Sequence, residues 1–132
     1  MKLQYYDTMT DEKTKEVTDK FVNIRYGLFN MESDGSESWI WTEMEFGGRL
    51  KNVKNVTFTC KSQIKNVIIV GEFEYEIEPE TLTTINIPCT GKVELVIAVK
   101  NAFVPSEFED SGDMRELGVR MTRFKVDGND LF

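Results

Sequence analysis

Hydrophobic and polar residues alternate with a period of two along most of this chain. Short runs carry apolar side chains at every second position and are bounded by clusters of glycine, proline, asparagine and serine. Such runs are typical of an antiparallel β-sandwich or β-barrel, so we expect two antiparallel sheets with little helix. The predicted strands, about eight in all, lie near residues 2–6, 21–29, 38–46, 54–60, 66–77, 81–87, 92–100 and 117–126.

Residues 93–99, VELVIAV, depart from this alternation because they are apolar on both faces except at Glu94. A strand of this composition is typical of the middle of a sheet whose two faces are both covered. The pattern therefore predicts a central, buried strand in which Leu95 and Ile97 belong to the core.

The last predicted strand changes face part-way along. Its first half places Leu117, Val119 and Met121 on one face, whereas its second half places Phe124 and Val126 on the other. One extra residue in a strand reverses the faces of all the residues that follow it. We therefore predict a β-bulge, or a bend from one sheet to the other, near residues 122–123.

The composition restricts the chemistry that this chain can perform. Its length predicts one domain, residues 1–132, which is either a whole protein or part of a larger one. The net charge of −7 opposes nucleic-acid binding, which needs lysine and arginine. The lack of histidine removes the commonest catalytic base and metal ligand, and no cofactor is expected.

Cys60 and Cys89 form no C-x-x-C pair, and we interpret both as buried free thiols.

The apolar runs also bear on location. The longest of them, NVIIV and VELVIAV, are too short to cross a bilayer, so no membrane insertion is expected. The opening residues, MKLQYYDTMT, lack the apolar stretch of a signal peptide. These features predict a soluble, cytoplasmic protein.

The predicted strand SWIWTEMEF presents two different faces. Ile40, Thr42, Met44 and Phe46 form the natural core face, and the opposite face carries Trp39, Trp41, Glu43 and Glu45. Two indoles beside two carboxylates suit a sugar, because the rings stack on C–H groups and the carboxylates accept hydrogen bonds from hydroxyls. The alternative is that a bulge or a curved edge turns one or both tryptophans inward, since tryptophan is usually largely buried.

Two acidic loops are candidates for calcium binding. Residues 32–38, ESDGSES, and residues 107–113, EFEDSGD, each offer several oxygen ligands, among them Asp34, Asp110 and Asp113. Neither loop has the spacing of an EF-hand. The alternative interpretation is a solvated acidic surface.

Asp113 and Arg115 lie two residues apart, so both side chains point the same way if this segment is extended. Arg115 can donate paired hydrogen bonds to a carboxylate or to loop carbonyls. Gly118 allows another backbone to approach closely, and its apolar neighbours return to the core. We interpret the segment as a structural joint that leads to the last strand, with a ligand-binding role for Arg115 as the alternative.

Two motifs support a resemblance to a known family. The pattern F-x-P, then a polar loop, then D-x-R-E-L-G-V is carried by Phe103, Pro105, Asp113, Arg115, Glu116, Leu117, Gly118 and Val119. Upstream, YGLFNMESDGSESWIW places Tyr26, Gly27, Glu32, Trp39 and Trp41 at matching positions. Together they resemble the jelly-roll-like accessory domain that is attached to bacterial glycosyltransferases and methyltransferases of surface-polysaccharide synthesis. Ile40 stands where that family often has arginine.

This resemblance covers residues 26–126. It implies a jelly-roll-like antiparallel β-sandwich that is not an enzyme. It also implies that the domain contacts carbohydrate or packs on a partner glycan-synthesis enzyme, although a fold by itself does not determine a function.

We expect a non-catalytic carbohydrate-binding or accessory module of bacterial glycan biosynthesis, with Trp39, Trp41, Glu43, Asp113 and Arg115 as the binding residues. The alternative is a structural or protein-interaction domain with no small-molecule ligand, because aromatic residues are also enriched at interfaces. A third hypothesis is a small enzyme that uses Glu43 and Asp113 as a carboxylate pair. The sequence leaves the identity of the ligand and the oligomeric state open.

Overall fold

The computed structural model describes residues 25–108 and 112–130, and nearly all of them lie in or between antiparallel strands. The predicted strand near residues 2–6 lies outside the described residues, as does part of the one near residues 21–29. One short helix, α1 (Pro105–Phe108), interrupts the strands. The strands are β1 (Arg25–Ser33), β2 (Ser38–Arg49), β3 (Asn55–Lys61), β4 (Asn66–Val70), β5 (Phe73–Ile77), β6 (Thr83–Pro88), β7 (Glu94–Val99), β8 (Arg120–Val126) and β9 (Asn129–Asp130).

All nine strands belong to one hydrogen-bonded sheet in the order β5-β4-β7-β2-β8-β3-β6, with β1 paired to β2 and β9 paired to β8. Strand β2 is shared between two parts of this sheet. Ile40 pairs with both Met31 and Met121, and Gly47 pairs with both Tyr26 and Val96. A strand has only two edges, so β8 and β7 occupy different halves of the same edge of β2. Two arms, β7-β4-β5 and β8-β3-β6, therefore extend from this strand.

The all-β antiparallel class predicted from the alternation is confirmed. The strands form a single, nearly closed, barrel-like sheet rather than two clearly separate sheets. The physical reason is the length of β2, because a strand of 12 residues is long enough to pair with both arms.

Strand β2 bends where it passes from one arm to the other. Opposite β1, Thr42 pairs with Leu28 and Gly47 pairs with Tyr26, so residues 43–46 interrupt the pairing with β1, although residues 45 and 46 pair regularly with β7. Gly27 lies against this bend with a φ of 81°, and a Cβ there would overlap the backbone of β2. Only glycine tolerates both conditions.

The core lies between the two arms. Strand β7 contributes Leu95 and Ile97, while Phe58 and Phe124 come from the other arm, and all four side chains are buried in one cluster. Phe46 of β2 meets Phe58 edge to face, with ring centroids 5.9 Å apart. The apolar residues that alternate along both arms therefore pack closely against one another in a single core.

Strand β7 corrects one prediction. It lies inside the sheet between β4 and β2, as predicted, and Leu95 and Ile97 are buried. However, Val96 is 44% exposed and Val93, which precedes the strand, is 70% exposed. The prediction that both faces are covered was wrong, because the second face of β7 is open to solvent.

The predicted bulge is confirmed in β8. Thr59 pairs with Arg123 whereas Cys60 pairs with Met121, so Thr122 is the extra residue. This insertion allows Met121 and Phe124 to reach the same core. The predicted strand over residues 66–77 is instead a hairpin of β4 and β5, because Gly71 turns the chain with a φ of 59°.

Both cysteines are buried and unpaired, as predicted. Burial raises the pKa of the Cys60 thiol to about 12 and also raises the pKa of the Cys89 thiol. Thiols of this kind are unreactive near neutral pH, because the thiolate is the reactive form.

Candidate functional site

The segment from Phe103 to Leu117 is here called the covering loop, and its described parts, residues 103–108 and 112–117, lie over the outer face of β2. Its ends are joined by two backbone hydrogen bonds: the N–H of Phe103 donates to the carbonyl of Leu117 at 2.7 Å, and the reverse bond is 2.8 Å long. Inside this neck, the N–H of Ser106 donates to the carbonyl of Asp113 at 2.9 Å. The described residues of the loop are therefore held in a closed shape.

The loop is fastened to β2 by the residues that follow it. The N–H of Gly118 donates to the carbonyl of Thr42 at 2.7 Å, and the N–H of Val119 donates to the Thr42 hydroxyl at 3.0 Å. A Cβ at Gly118 would overlap this hydroxyl and the carbonyl of Glu43. The joint predicted for Gly118 is therefore present, and Thr42 can be fully buried because its polar atoms are bonded.

The covering loop buries Trp41, which is only 7% exposed. Its indole stacks on Phe103 with ring centroids 5.9 Å apart and packs with Leu117 in a small apolar cluster separate from the main core. The sequence left open whether the tryptophans face solvent or are turned inward by a bulge. Trp41 lies on the face opposite the core residue Ile40, and it is buried because the loop covers that face.

The stack continues to the surface. Phe103 also stacks on Phe108 of α1, with centroids 5.2 Å apart, and the Phe108 ring is 61% exposed. We call Trp41, Phe103 and Phe108 the aromatic stack. Trp41, the inner ring of the stack, is buried, and Phe108, the outer ring, is exposed to solvent.

Trp39 is half-buried beside this stack. The Arg120 guanidinium lies over its indole, 4.6 Å from the ring centroid, and Arg120 is also 3.7 Å from the Glu37 carboxylate. Among the described residues, the indole N–H of Trp39 and the Nε of Arg120 have no hydrogen-bond partner. The guanidinium covers one face of the indole, and a sugar cannot stack on that face.

Arg115 and Asp113 form the pair that the sequence predicts. The Arg115 Nε donates to both carboxylate oxygens of Asp113, at 2.9 and 3.1 Å, and a second guanidinium nitrogen lies 2.6 Å from Oδ2. The same group is 3.3 Å from Glu32 of β1 and lies over the Phe29 ring at 4.9 Å. The hydrogen bonds from Arg115 lower the pKa of Asp113. The guanidinium therefore links the loop to β1 while 35% of the side chain stays exposed.

The remaining predicted residues are placed as follows. Glu43 is half-buried at the bend of β2, where Gly118 packs against its carbonyl. Asp34 caps a tight turn by accepting hydrogen bonds from the backbone of Ser36 and Glu37, which lowers its pKa. Asp110 lies outside the described residues. Within the described ranges, no three potential metal ligands come together, and no helix is both long and apolar enough to span a membrane.

The sequence did not predict the residues that cover the face of β2 carrying Trp39 and Trp41. Phe108 and Arg120 were not singled out, because Phe108 joins Trp41 through Phe103, and Arg120 joins Trp39, only when the fold brings distant segments together. A signal existed for Phe29, because it lies within the upstream motif three residues before Glu32, and both residues contact Arg115. The structure thus joins Trp39, Trp41, Asp113 and Arg115 on one side of the molecule.

Comparison of the chain with protein-family models, with curated proteins and with solved structures returns no significant match. The resemblance to accessory domains of polysaccharide synthesis therefore remains a prediction from the motifs. The structure assigns local roles to the motif residues: Phe103 and Leu117 close the loop, Arg115 ties it to β1, and Gly118 docks it on β2.

Proposed function

We propose that this domain is a non-catalytic accessory module that binds a partner protein through the covering loop. One observation carries the proposal: the aromatic stack ends in Phe108, whose ring is 61% exposed, and Met114 of the same loop is 79% exposed. An aromatic ring that is stacked on the protein and still exposed, beside a second exposed apolar side chain, is suited to anchor an interface.

The construction of the loop favours binding. A side chain that is already ordered loses little conformational entropy when a partner covers it, so more of the contact energy appears as affinity. Phe108 is ordered by Phe103, which rests on the buried Trp41. The Arg115 pair fixes the other side of the loop.

The charges of the loop indicate the chemistry of the partner. Glu107 and Glu116 are exposed on either side of the apolar residues, and the whole chain carries a net charge of −7. A complementary surface would present an apolar pocket flanked by lysine or arginine, which raises the association rate and selects against acidic partners. The family resemblance implies that this partner is a bacterial glycosyltransferase or methyltransferase of surface-polysaccharide synthesis, acting in the cytoplasm.

Two features favour this function over the carbohydrate platform and over catalysis. Trp41 is buried and Arg120 covers one face of Trp39, so the two indoles do not offer an open stacking surface. In a carboxylate pair that cleaves glycosides both carboxyl groups act on the substrate, whereas the Asp113 carboxylate accepts three hydrogen bonds from the Arg115 side chain. We also infer that the two arms correspond to the layers of a jelly-roll-like sandwich, because one core lies between them.

The experiment places a photoreactive amino acid at position 108 in the cell from which the chain comes. Position 73 is the matched control, because Phe73 is 64% exposed but lies at the β4–β5 turn, outside the loop. We expect position 108 to cross-link to one defined protein and position 73 not to do so. Mass spectrometry identifies the product.

Two results would contradict the proposal. One is the absence of any cross-linked protein at position 108 above the level at position 73. The other is a cross-link at position 108 to a glycan and not to any protein. That result would favour carbohydrate binding at this face.

A further inference from the structure

The outer face of the β8-β3-β6 arm carries a regular grid of polar side chains. Each rung has one residue from each strand: Lys125, Thr57 and Asn86 form the first, and Arg123, Thr59 and Thr84 form the second. Five of these residues, all except Asn86, line a groove of about 250 Å³, here called the threonine groove. The opposite face of the same strands is apolar and forms the core.

The dimensions of the grid follow from strand geometry. Neighbouring strands lie about 4.8 Å apart, and residues two apart along a strand are separated by about 7 Å. Three strands and two rungs therefore present polar groups over an area of about 10 by 7 Å. This is the footprint of a small saccharide or a comparable polar ligand.

The hydrogen bonds within the grid align its hydroxyls and leave capacity for a ligand. The Thr57 hydroxyl donates to the Asn86 carbonyl oxygen at 3.2 Å, and the hydroxyls of Thr59 and Thr84 share one hydrogen bond of 2.9 Å. A hydroxyl has one donor and two acceptor sites, so one of the two threonines in the second rung keeps its proton for a ligand. The grid is therefore a fixed array of donors and acceptors.

Positive charge is concentrated along one side of the groove, although the chain as a whole is acidic. Arg123 is near one acid, Asp130, at 3.7 Å, and both side chains are more than half exposed. An ion pair this long and exposed is weak. Asp130 is also the residue opposite Lys125 in the β8–β9 pair, so this one acid lies beside both cations, but no acidic side chain among the described residues lines the groove itself.

From this geometry we propose that the threonine groove binds an oxyanion that carries neighbouring hydroxyl groups, such as a uronic acid or a sugar phosphate. Arg123 holds the carboxylate or phosphate by paired hydrogen bonds, and Lys125 adds a second charge. Thr59 and Thr84, whose side chains line the groove, bind the hydroxyl groups. The site uses residues outside the covering loop, so it can exist whether or not the loop binds a partner protein.

The expected strength follows from the open shape. Among the residues that the structure describes, no aromatic ring lines the groove, so affinity depends on charge and hydrogen bonds, and much of the cost of association is not offset. We expect dissociation constants in the millimolar to high micromolar range. Binding should weaken as ionic strength rises, because both cations are accessible to salt.

Nuclear magnetic resonance titration of the whole protein tests the proposal with three probes: galacturonate, inorganic phosphate and neutral galactose. The double variant Arg123→Ala/Lys125→Ala removes the cations, and Lys65→Ala removes an exposed lysine outside the groove as the matched control. Thr59→Val removes one hydroxyl and keeps the shape of the side chain. Thermal melting confirms that each variant is folded.

We expect galacturonate and phosphate to shift the amide resonances of residues 57, 59, 84, 123 and 125. Affinity should fall by roughly tenfold or more in the double variant and stay unchanged in Lys65→Ala. If galacturonate binds more tightly than phosphate, and Thr59→Val weakens its binding, the ligand class is an acidic sugar. If phosphate binds more tightly than galacturonate, the ligand class is a phosphate ester. No shift at these residues, or galactose binding that the double variant leaves intact, would overturn the proposal.

Discussion

Replacing Trp41 by alanine tests whether the covering loop buries this residue. An indole buries roughly 200 Å² of surface, and at about 25 cal/mol per Å² this corresponds to roughly 5 kcal/mol. The value is an upper bound, because the unfolded chain already hides part of the surface and the loop can settle into part of the space. We expect Trp41→Ala to lower the free energy of unfolding by about 3–5 kcal/mol.

Urea unfolding followed by far-ultraviolet circular dichroism measures this difference. The midpoint should fall while the slope stays constant, since the variant still folds to the same compact state. Phe73→Ala provides the control, because that ring is 64% exposed and its removal should change stability by less than about 0.5 kcal/mol. A Trp41 variant as stable as this control would refute the reasoning and would place the indole on an open face.

Three further variants test other parts of the fold. Ile97→Ala should lower the free energy of unfolding by about 2–5 kcal/mol, because the side chain is fully buried. An unchanged urea midpoint would show that β7 does not contribute to the core. Gly118→Ala should lower the melting temperature because its Cβ would overlap β2, whereas Gly112→Ala adds a methyl in open space and should melt like the wild type. Arg115 lowers the pKa of Asp113 in the folded protein. The ionised pair therefore stabilises the fold fully above the ordinary aspartate pKa of about 3.9. This stabilisation is lost as the pH falls through the lower pKa of the folded state. The stability difference between wild type and Asp113→Asn should therefore be present near neutral pH and disappear in strong acid, and a difference that persists in acid would contradict the pairing.

Most of the strands could be predicted from the sequence, because alternation reports which face of a strand is buried. The bulge at Thr122 was predictable for the same reason, since the apolar residues exchange faces on either side of it. The turn at Gly71 was missed because the odd-numbered positions from 67 to 77, except the glycine itself, are apolar on both sides of it. The open face of β7 was also missed, because Val96 has the same character whether it is covered or not.

The candidate site was predictable only in part. The Asp113–Arg115 pair follows from residues two apart in an extended segment, and such local contacts can be read from the sequence. The burial of Trp41 cannot be read in this way, because Phe103 and Leu117 are distant in the chain and reach β2 only through the fold. For the same reason, the polar grid of the threonine groove becomes visible only when β3, β6 and β8 are aligned.

The central claim is that the exposed end of the aromatic stack binds a partner protein. Its most direct test is the dissociation constant of the protein that cross-links at position 108, measured with wild type, Phe108→Ser and Phe73→Ser. A central aromatic anchor contributes about 2 kcal/mol or more, so Phe108→Ser should weaken binding by roughly 30-fold while Phe73→Ser leaves it unchanged. Equal affinities for all three proteins, with the same melting temperature, would contradict the claim.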